Sequence, residues 1–161
     1  MATRAILTPY AAEFPATNFP QLTLSNRRPV LAFDTTTSET AYWTFAAPQG
    51  ITGTWTAVIS YAMASATTGG VAFDVAIEAI SSGDAVDTDA TTSFDTVNAG
   101  NDAAVPGTAG YMEQISITLT NADSIAAADM VRVSVARDVA DAADTAAGDC
   151  FVFVIELRDA A

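Results

Sequence analysis

The chain of 161 residues contains no histidine, no lysine and a single cysteine, Cys150. Each absence closes a class of chemistry. A zinc site draws a compact ligand set from cysteine, histidine and carboxylate side chains, and the first two are all but missing. Serine–histidine and cysteine–histidine catalysis need an imidazole to carry the proton, and there is none. One cysteine excludes an intramolecular disulfide, so stability has to come from packing, with self-association as a further source. Cys150 precedes the apolar run Phe151 to Ile155 and reads as a small buried hydrophobe. No apolar run approaches the roughly 18 residues of a membrane-spanning helix. The opening Met1 to Leu7 lacks a continuous apolar stretch before Pro9 and Glu13 and does not read as a secretory signal. No glycine-rich loop joins a strand to a helix, so nucleotide binding has no support.

What is present is a core-building chain. Half the residues are hydrophobic and only 16% are charged, enough for one domain with a substantial interior. The net charge is −13, and all six basic residues are arginines: Arg4, Arg27, Arg28, Arg132, Arg137 and Arg158. Such a surface repels phosphate backbones and anionic headgroups, so neither nucleic acid nor membrane is an expected partner.

From Val30 onward the hydrophobic period is two. Trp55, Ala57, Ile59, Tyr61 and Met63 share one face; so do Val71, Phe73, Val75 and Ile77, then Ile115, Ile117 and Leu119, then Val131, Val133 and Val135. Ala41, Trp43 and Phe45 form a similar face. Alternation with β-branched enrichment is the pattern of half-buried antiparallel strands. In the last strand Phe151, Phe153, Ile155 and Leu157 fall on one face and Val152 and Val154 on the other. A strand apolar on both faces is either central and covered or part of an intersubunit contact. The stretch 83–110 reads as a crossover loop with one short segment around Phe94, and Ile125 to Met130 as one helical turn. Seven or eight strands at this spacing predict an all-β, antiparallel two-sheet jelly-roll sandwich over residues 30–161. Residues 1–29 differ. Pro9, Pro15, Pro20 and Pro29 recur among Tyr10, Phe14, Phe19, Leu22 and Leu24, which predicts an extended N-terminal arm with apolar side chains to bury. The arm packs either on its own domain or on a neighbouring subunit, and those five side chains are the candidate partner interface.

The search for chemistry yields little. Paired carboxylates hydrolyse glycosides, with Asp74, Glu78, Glu113 and Glu156 as candidates, but each reads as the solvent side of an alternating strand. Asp84, Asp87 and Asp89 populate one acidic loop and Asp138, Asp141, Asp144 and Asp149 another, and neither matches a helix-loop-helix calcium site. Trp43 and Trp55 fall on apolar faces and read as core. The expectation is a non-enzyme with no catalytic residue, no metal and no cofactor.

Several phrases carry a resemblance: Leu31-Ala32-Phe33-Asp34-Thr35-Thr36-Thr37, Ala41-Tyr42-Trp43-Thr44-Phe45, Ser60 to Ala66, Leu119-Thr120-Asn121-Ala122-Asp123 and Asp129-Met130-Val131-Arg132-Val133. Over residues 31–158 the chain resembles small jelly-roll structural proteins of tailed-phage virions. The resemblance implies a capsid decoration, or cement, protein on the virion surface. Its partners would be the major capsid protein and further copies of itself, as a homotrimer. The alternative it leaves is a tail-fibre or receptor-binding module recognising cell-surface glycans.

Overall fold

A computed structural model describes residues 2–51, 53–90, 92–102 and 104–160. The chain forms ten strands: β1 (Thr3–Leu7), β2 (Gln21–Ser25), β3 (Arg28–Phe33), β4 (Glu39–Ala46), β5 (Trp55–Met63), β6 (Val71–Ile80), β7 (Asn98–Asp102), β8 (Met112–Leu119), β9 (Met130–Arg137) and β10 (Cys150–Asp159). A single 3-10 turn, Pro9–Ala11, is the only helical piece among the described residues.

The protein is all-β, with two antiparallel sheets packed face to face as the alternation predicts. The larger sheet runs β2-β3-β10-β5-β8, with β1 added on β10, and the smaller runs β4-β9-β6-β7. From β3 onward every connection crosses from one sheet to the other except β6 to β7. The inward-facing residues of both layers form one core: Phe33, Trp55, Ile59, Tyr61, Ile117 and Leu157 from the larger sheet meet Trp43, Phe73, Val75, Ile77, Val133 and Val135 from the smaller. Every residue of β5 is buried, as befits a strand flanked by β10 and β8. On the β7–β8 side the layers close tightly. A Cβ built on Gly100 would lie 2.5 Å from Ile117 Cγ1, so only glycine fits there.

Four readings need correction. The N-terminal residues are not a separate arm ending at residue 29, because that boundary falls inside β3. β1 pairs with β10 from Thr3↔Arg158 to Leu7↔Ile155, and β2 forms a hairpin with β3 from Gln21↔Ala32 to Ser25↔Arg28. The prolines lie outside β1 and β2, except that Pro29 sits within β3. Second, the chain around Phe94 is loop, and the strand of this region is the short β7. Third, residues 125–130 form no helix. Asp123, Ser124 and Ala128 adopt left-handed φ values of 50°, 54° and 71°, which interrupts any right-handed turn.

The fourth concerns β10. Its register on β5 shifts between Val152 and Val154, the mark of a β-bulge at Phe153. The extra residue reverses the phase, so Cys150, Val152, Ile155 and Leu157 are buried while Phe151, Phe153 and Val154 are partly exposed. The bulge also divides the free edge of β10. β3 pairs with Cys150 to Val152, and β1 takes over from Ile155.

Candidate functional site

The N-terminal segment is held to the sandwich largely by its backbone, and most of its large apolar side chains stay outside the core. Leu7, the last residue of β1, and Pro9 beyond it are buried, and the Trp43 indole Nε1 donates to the Thr8 carbonyl at 2.9 Å. The segment then runs along β4: Glu13 N donates to Tyr42 O (2.7 Å), Tyr42 N to Glu13 O (2.9 Å), and Thr40 N to Asn18 O (2.9 Å). It thereby covers part of an edge strand of the smaller sheet. Arg4 clasps Asp159 through two hydrogen bonds of 2.6 and 2.7 Å, which raise the Arg4 pKa and hold the Asp159 carboxyl below its ordinary value. On the outer face of the smaller sheet, Arg132 lies 3.5 Å from Glu13 and 4.5 Å above the Tyr42 ring, which stacks on Phe94 at 5.8 Å.

Held this way, the segment presents apolar side chains to solvent. Tyr10 is 70% exposed, Leu24 61%, Leu22 44%, Phe19 41% and Phe14 39%. Ile6, which sequence reasoning passed over, is 63% exposed. Of the ten large hydrophobics exposed among the described residues, six lie between residues 6 and 24. Phe14 and Phe19 pack on one another, with ring centroids 5.6 Å apart.

The carboxylate candidates do not converge. Asp74 and Glu78 belong to β6 of the smaller sheet, and Glu113 and Glu156 to the larger. Glu78 is not a solvated surface group. It is 4% exposed and accepts from Ser93 N (2.5 Å) and Ser93 Oγ (3.0 Å), because the loop carrying Phe94 folds over it. Burial, then Asp138 and Asp141, raise the Asp74 pKa. Glu156 accepts from Thr3 Oγ1.

The acidic loops spend their carboxylates on their own backbone. Asp84 accepts from Ser81 N (2.8 Å), Asp138 from Ala140 N (3.1 Å) and Asp141 from Ala143 N (2.7 Å). Among the described residues no three histidine, cysteine, aspartate or glutamate side chains are grouped to hold a metal.

One residue of this region was missed by sequence reasoning. Arg137 is fully buried, and Asp144 meets it with two hydrogen bonds of 2.9 and 2.8 Å at 3% side-chain exposure. The same guanidinium donates to the carbonyls of Gly148 (2.9 Å), Ala146 (3.0 Å) and Asp34 (3.3 Å). With the Phe33 carbonyl at 3.5 Å as a further acceptor, it knits the β9–β10 loop to the end of β3 with its donors shared among six acceptor atoms. The signal was available: Val131, Val133 and Val135 face inward, and Arg137 continues that phase. Next to it, burial pushes the Cys150 thiol well above its ordinary pKa, which makes it an unreactive core residue.

No protein-family model matches the chain, and no curated protein does. The surfaces just described therefore have to carry the functional argument.

Proposed function

We propose that this chain is a structural protein of a phage particle, a capsid decoration protein that binds across major capsid subunits through its N-terminal flank. The observation that carries the reading is the band of exposed apolar side chains between Ile6 and Leu24 on a backbone already paired to the sandwich. Full burial of a Tyr, Phe or Leu side chain is worth roughly 1.5–3 kcal/mol, and part of that gain is still unrealised in the isolated chain. The ordering entropy of the segment is already met within the fold, so docking gains from preorganisation. The strand orders β3-β10-β5-β8 and β4-β9-β6-β7 also support it. We read this alternation as jelly-roll winding, eight strands in two sheets, in keeping with the resemblance of residues 31–158 to virion sandwiches. A net charge of −13 keeps such a protein from competing for packaged DNA.

Deleting residues 1–28 would be a poor test, since it strips β1 from β10 and uncovers β4. The triple variant Ile6→Thr, Tyr10→Ser, Leu24→Thr changes only exposed side chains. Co-sedimentation with empty phage capsids is the readout. Binding by the native chain and its loss in the variant, with an unchanged thermal melt, is the expected result. A variant that binds as well as the native chain, or a native chain that does not bind, rejects the reading.

A further inference from the structure

On the outer face of the smaller sheet the register lines up one rung of polar side chains. Thr44 pairs with Arg132 and Arg132 with Glu78, so the three stand side by side across β4, β9 and β6. Their chain neighbours Trp43, Val133 and Ile77 are core residues, which turns this rung outward. The next rung on the same face pairs Met130 with Ile80 and is apolar. Two segments wall off these rungs. The N-terminal segment brings in Glu13 through its backbone bonds to Tyr42, and the β6–β7 loop folds back, with Asp95 N donating to Ile77 O at 2.8 Å and Phe94 stacked on Tyr42. Between them lies a cavity of about 300 Å³, floored by the two rungs and walled by Glu13 and Thr88. That volume is at the lower end of the range for small-molecule pockets.

The opposite charges in this cavity face one another without joining. Glu78 is 4% exposed, and Ser93 engages only one of its oxygens, donating to Oε1 from both N and Oγ. Its Oε2 has no hydrogen-bond partner among the described residues. Arg132 is opposite Glu78 in register, yet its ion pair is with Glu13, at 3.5 Å and without a hydrogen bond. Tyr42 and Phe94 hold the guanidinium in place, their ring centres 4.5 and 5.9 Å from it. Facing residues of an antiparallel pair have Cβ atoms about 5 Å apart. One carboxylate oxygen and the guanidinium donors are thus left unused within reach of a single small molecule, beside an apolar floor. A buried carboxylate with an idle oxygen is costly, and a cationic group that reaches it offsets the cost.

We propose that this cavity binds a free α-amino acid with an apolar side chain. The α-ammonium meets Glu78, the α-carboxylate meets Arg132, and the side chain lies on Ile80 and Met130. Charge complementarity selects the occupant. An amine alone leaves the guanidinium unused and a carboxylate alone leaves Glu78 unused, whereas a molecule with both charges on one carbon spans two groups that face each other across one rung. The walls are already fixed by the Glu13–Tyr42 and Asp95–Ile77 bonds, so binding has little to order. This site does not use the exposed side chains of the N-terminal flank and stands apart from the capsid reading.

Calorimetric titration of the full chain with L-leucine tests it. Saturable binding of one L-leucine per chain is expected. N-acetyl-leucine, which lacks the ammonium, and leucine methyl ester, which lacks the carboxylate, should each bind about tenfold or more weakly. Glu78→Gln keeps an oxygen for Ser93 and removes the charge, so it should weaken L-leucine binding by about tenfold or more with an unchanged thermal melt. An ester that binds as tightly as L-leucine makes this a plain amine site and overturns the proposal. So does a Glu78→Gln variant that binds as well as the native chain, or a native chain that L-leucine does not saturate up to its solubility. The comparison of ligands needs only the native chain and decides the matter whether or not the variant folds. None of these outcomes bears on capsid co-sedimentation, which reports on Ile6, Tyr10 and Leu24.

Discussion

Between β9 and β10 the chain carries Asp138, Asp141, Asp144 and Asp149, and it turns one of them inward until the Asp144 side chain is 3% exposed against Arg137. Between residues 6 and 24 it buries Leu7 but leaves six other large apolar side chains, Ile6, Tyr10, Phe14, Phe19, Leu22 and Leu24, at least 39% exposed. The acidic loop is thus anchored by a buried charge, and the apolar flank is anchored by backbone pairing with its side chains outside. Composition ranks these regions the wrong way round. What decides is where each segment finds partners for its polar groups: the loop through a guanidinium that reaches carbonyls on two segments, the flank through β10, β3 and β4.

The sharpest way to break this contrast is to remove one member of the buried pair. Asp144→Ala leaves the Arg137 charge uncompensated and should lower stability by about 3–5 kcal/mol in denaturant unfolding. The double variant Arg137→Met, Asp144→Leu should recover only part of the loss, because the carbonyls of Ala146 and Gly148 lose their donor as well. An exposed change such as Leu24→Thr should stay within about 0.5 kcal/mol.

A smaller effect separates the two tryptophans, both 2% exposed. Trp43 Nε1 is bonded to Thr8 of the flank, whereas Trp55 Nε1 has no partner among the described residues. Trp43→Phe should therefore cost about 1 kcal/mol more than Trp55→Phe, read from the two unfolding midpoints. Equal costs would mean that the Thr8 bond contributes nothing to holding the flank.

The smallest effect concerns the outer clasp. Arg4 holds the Asp159 pKa below its ordinary value, so the contribution of this pair is complete above that value and is lost as pH falls through the depressed one. Amide signals of β1 should fray below about pH 4 while those of β5 persist. In the Arg4→Gln variant β1 should be loosened already at neutral pH.

The strands that alternate cleanly, β4, β5, β6, β8 and β9, were legible in the sequence because period two with β-branched residues has one reading. β7 was not. Asn98 to Asp102 carries no large apolar side chain, and it is a strand through its pairing with β6 from Val71↔Asp102 to Val75↔Asn98, with Gly100 lying against Ile117. β1 and β2 were hidden by the prolines around them, whose neighbours read as an arm until pairing with β10 and β3 was known. The phase of β10 was misread because a bulge adds one residue without a sequence mark. Of the five residues singled out in the N-terminal stretch, their apolar character was legible, but how the backbone presents them was not. Glu78 and Arg132 were legible as outward-facing residues, but only the register of β6 on β9 sets them opposite one another.

The hand-over of the β10 edge from β3 to β1 has a mechanical side. Thr3 lies opposite Arg158, and Asp159 N donates to Ala2 O at 3.0 Å, so the two ends of the described chain leave the sandwich side by side. A pull that separates those ends loads the β1–β10 ladder one rung at a time, as a zipper opens, whereas a pull across the sheets loads many rungs together. Tension applied through the faces and edges of the sandwich would be shared; tension applied through its ends would start at the Arg4–Asp159 clasp. Any tag or fused domain at either end will hang from the same flank, and the opposite side of the molecule stays clear for contacts.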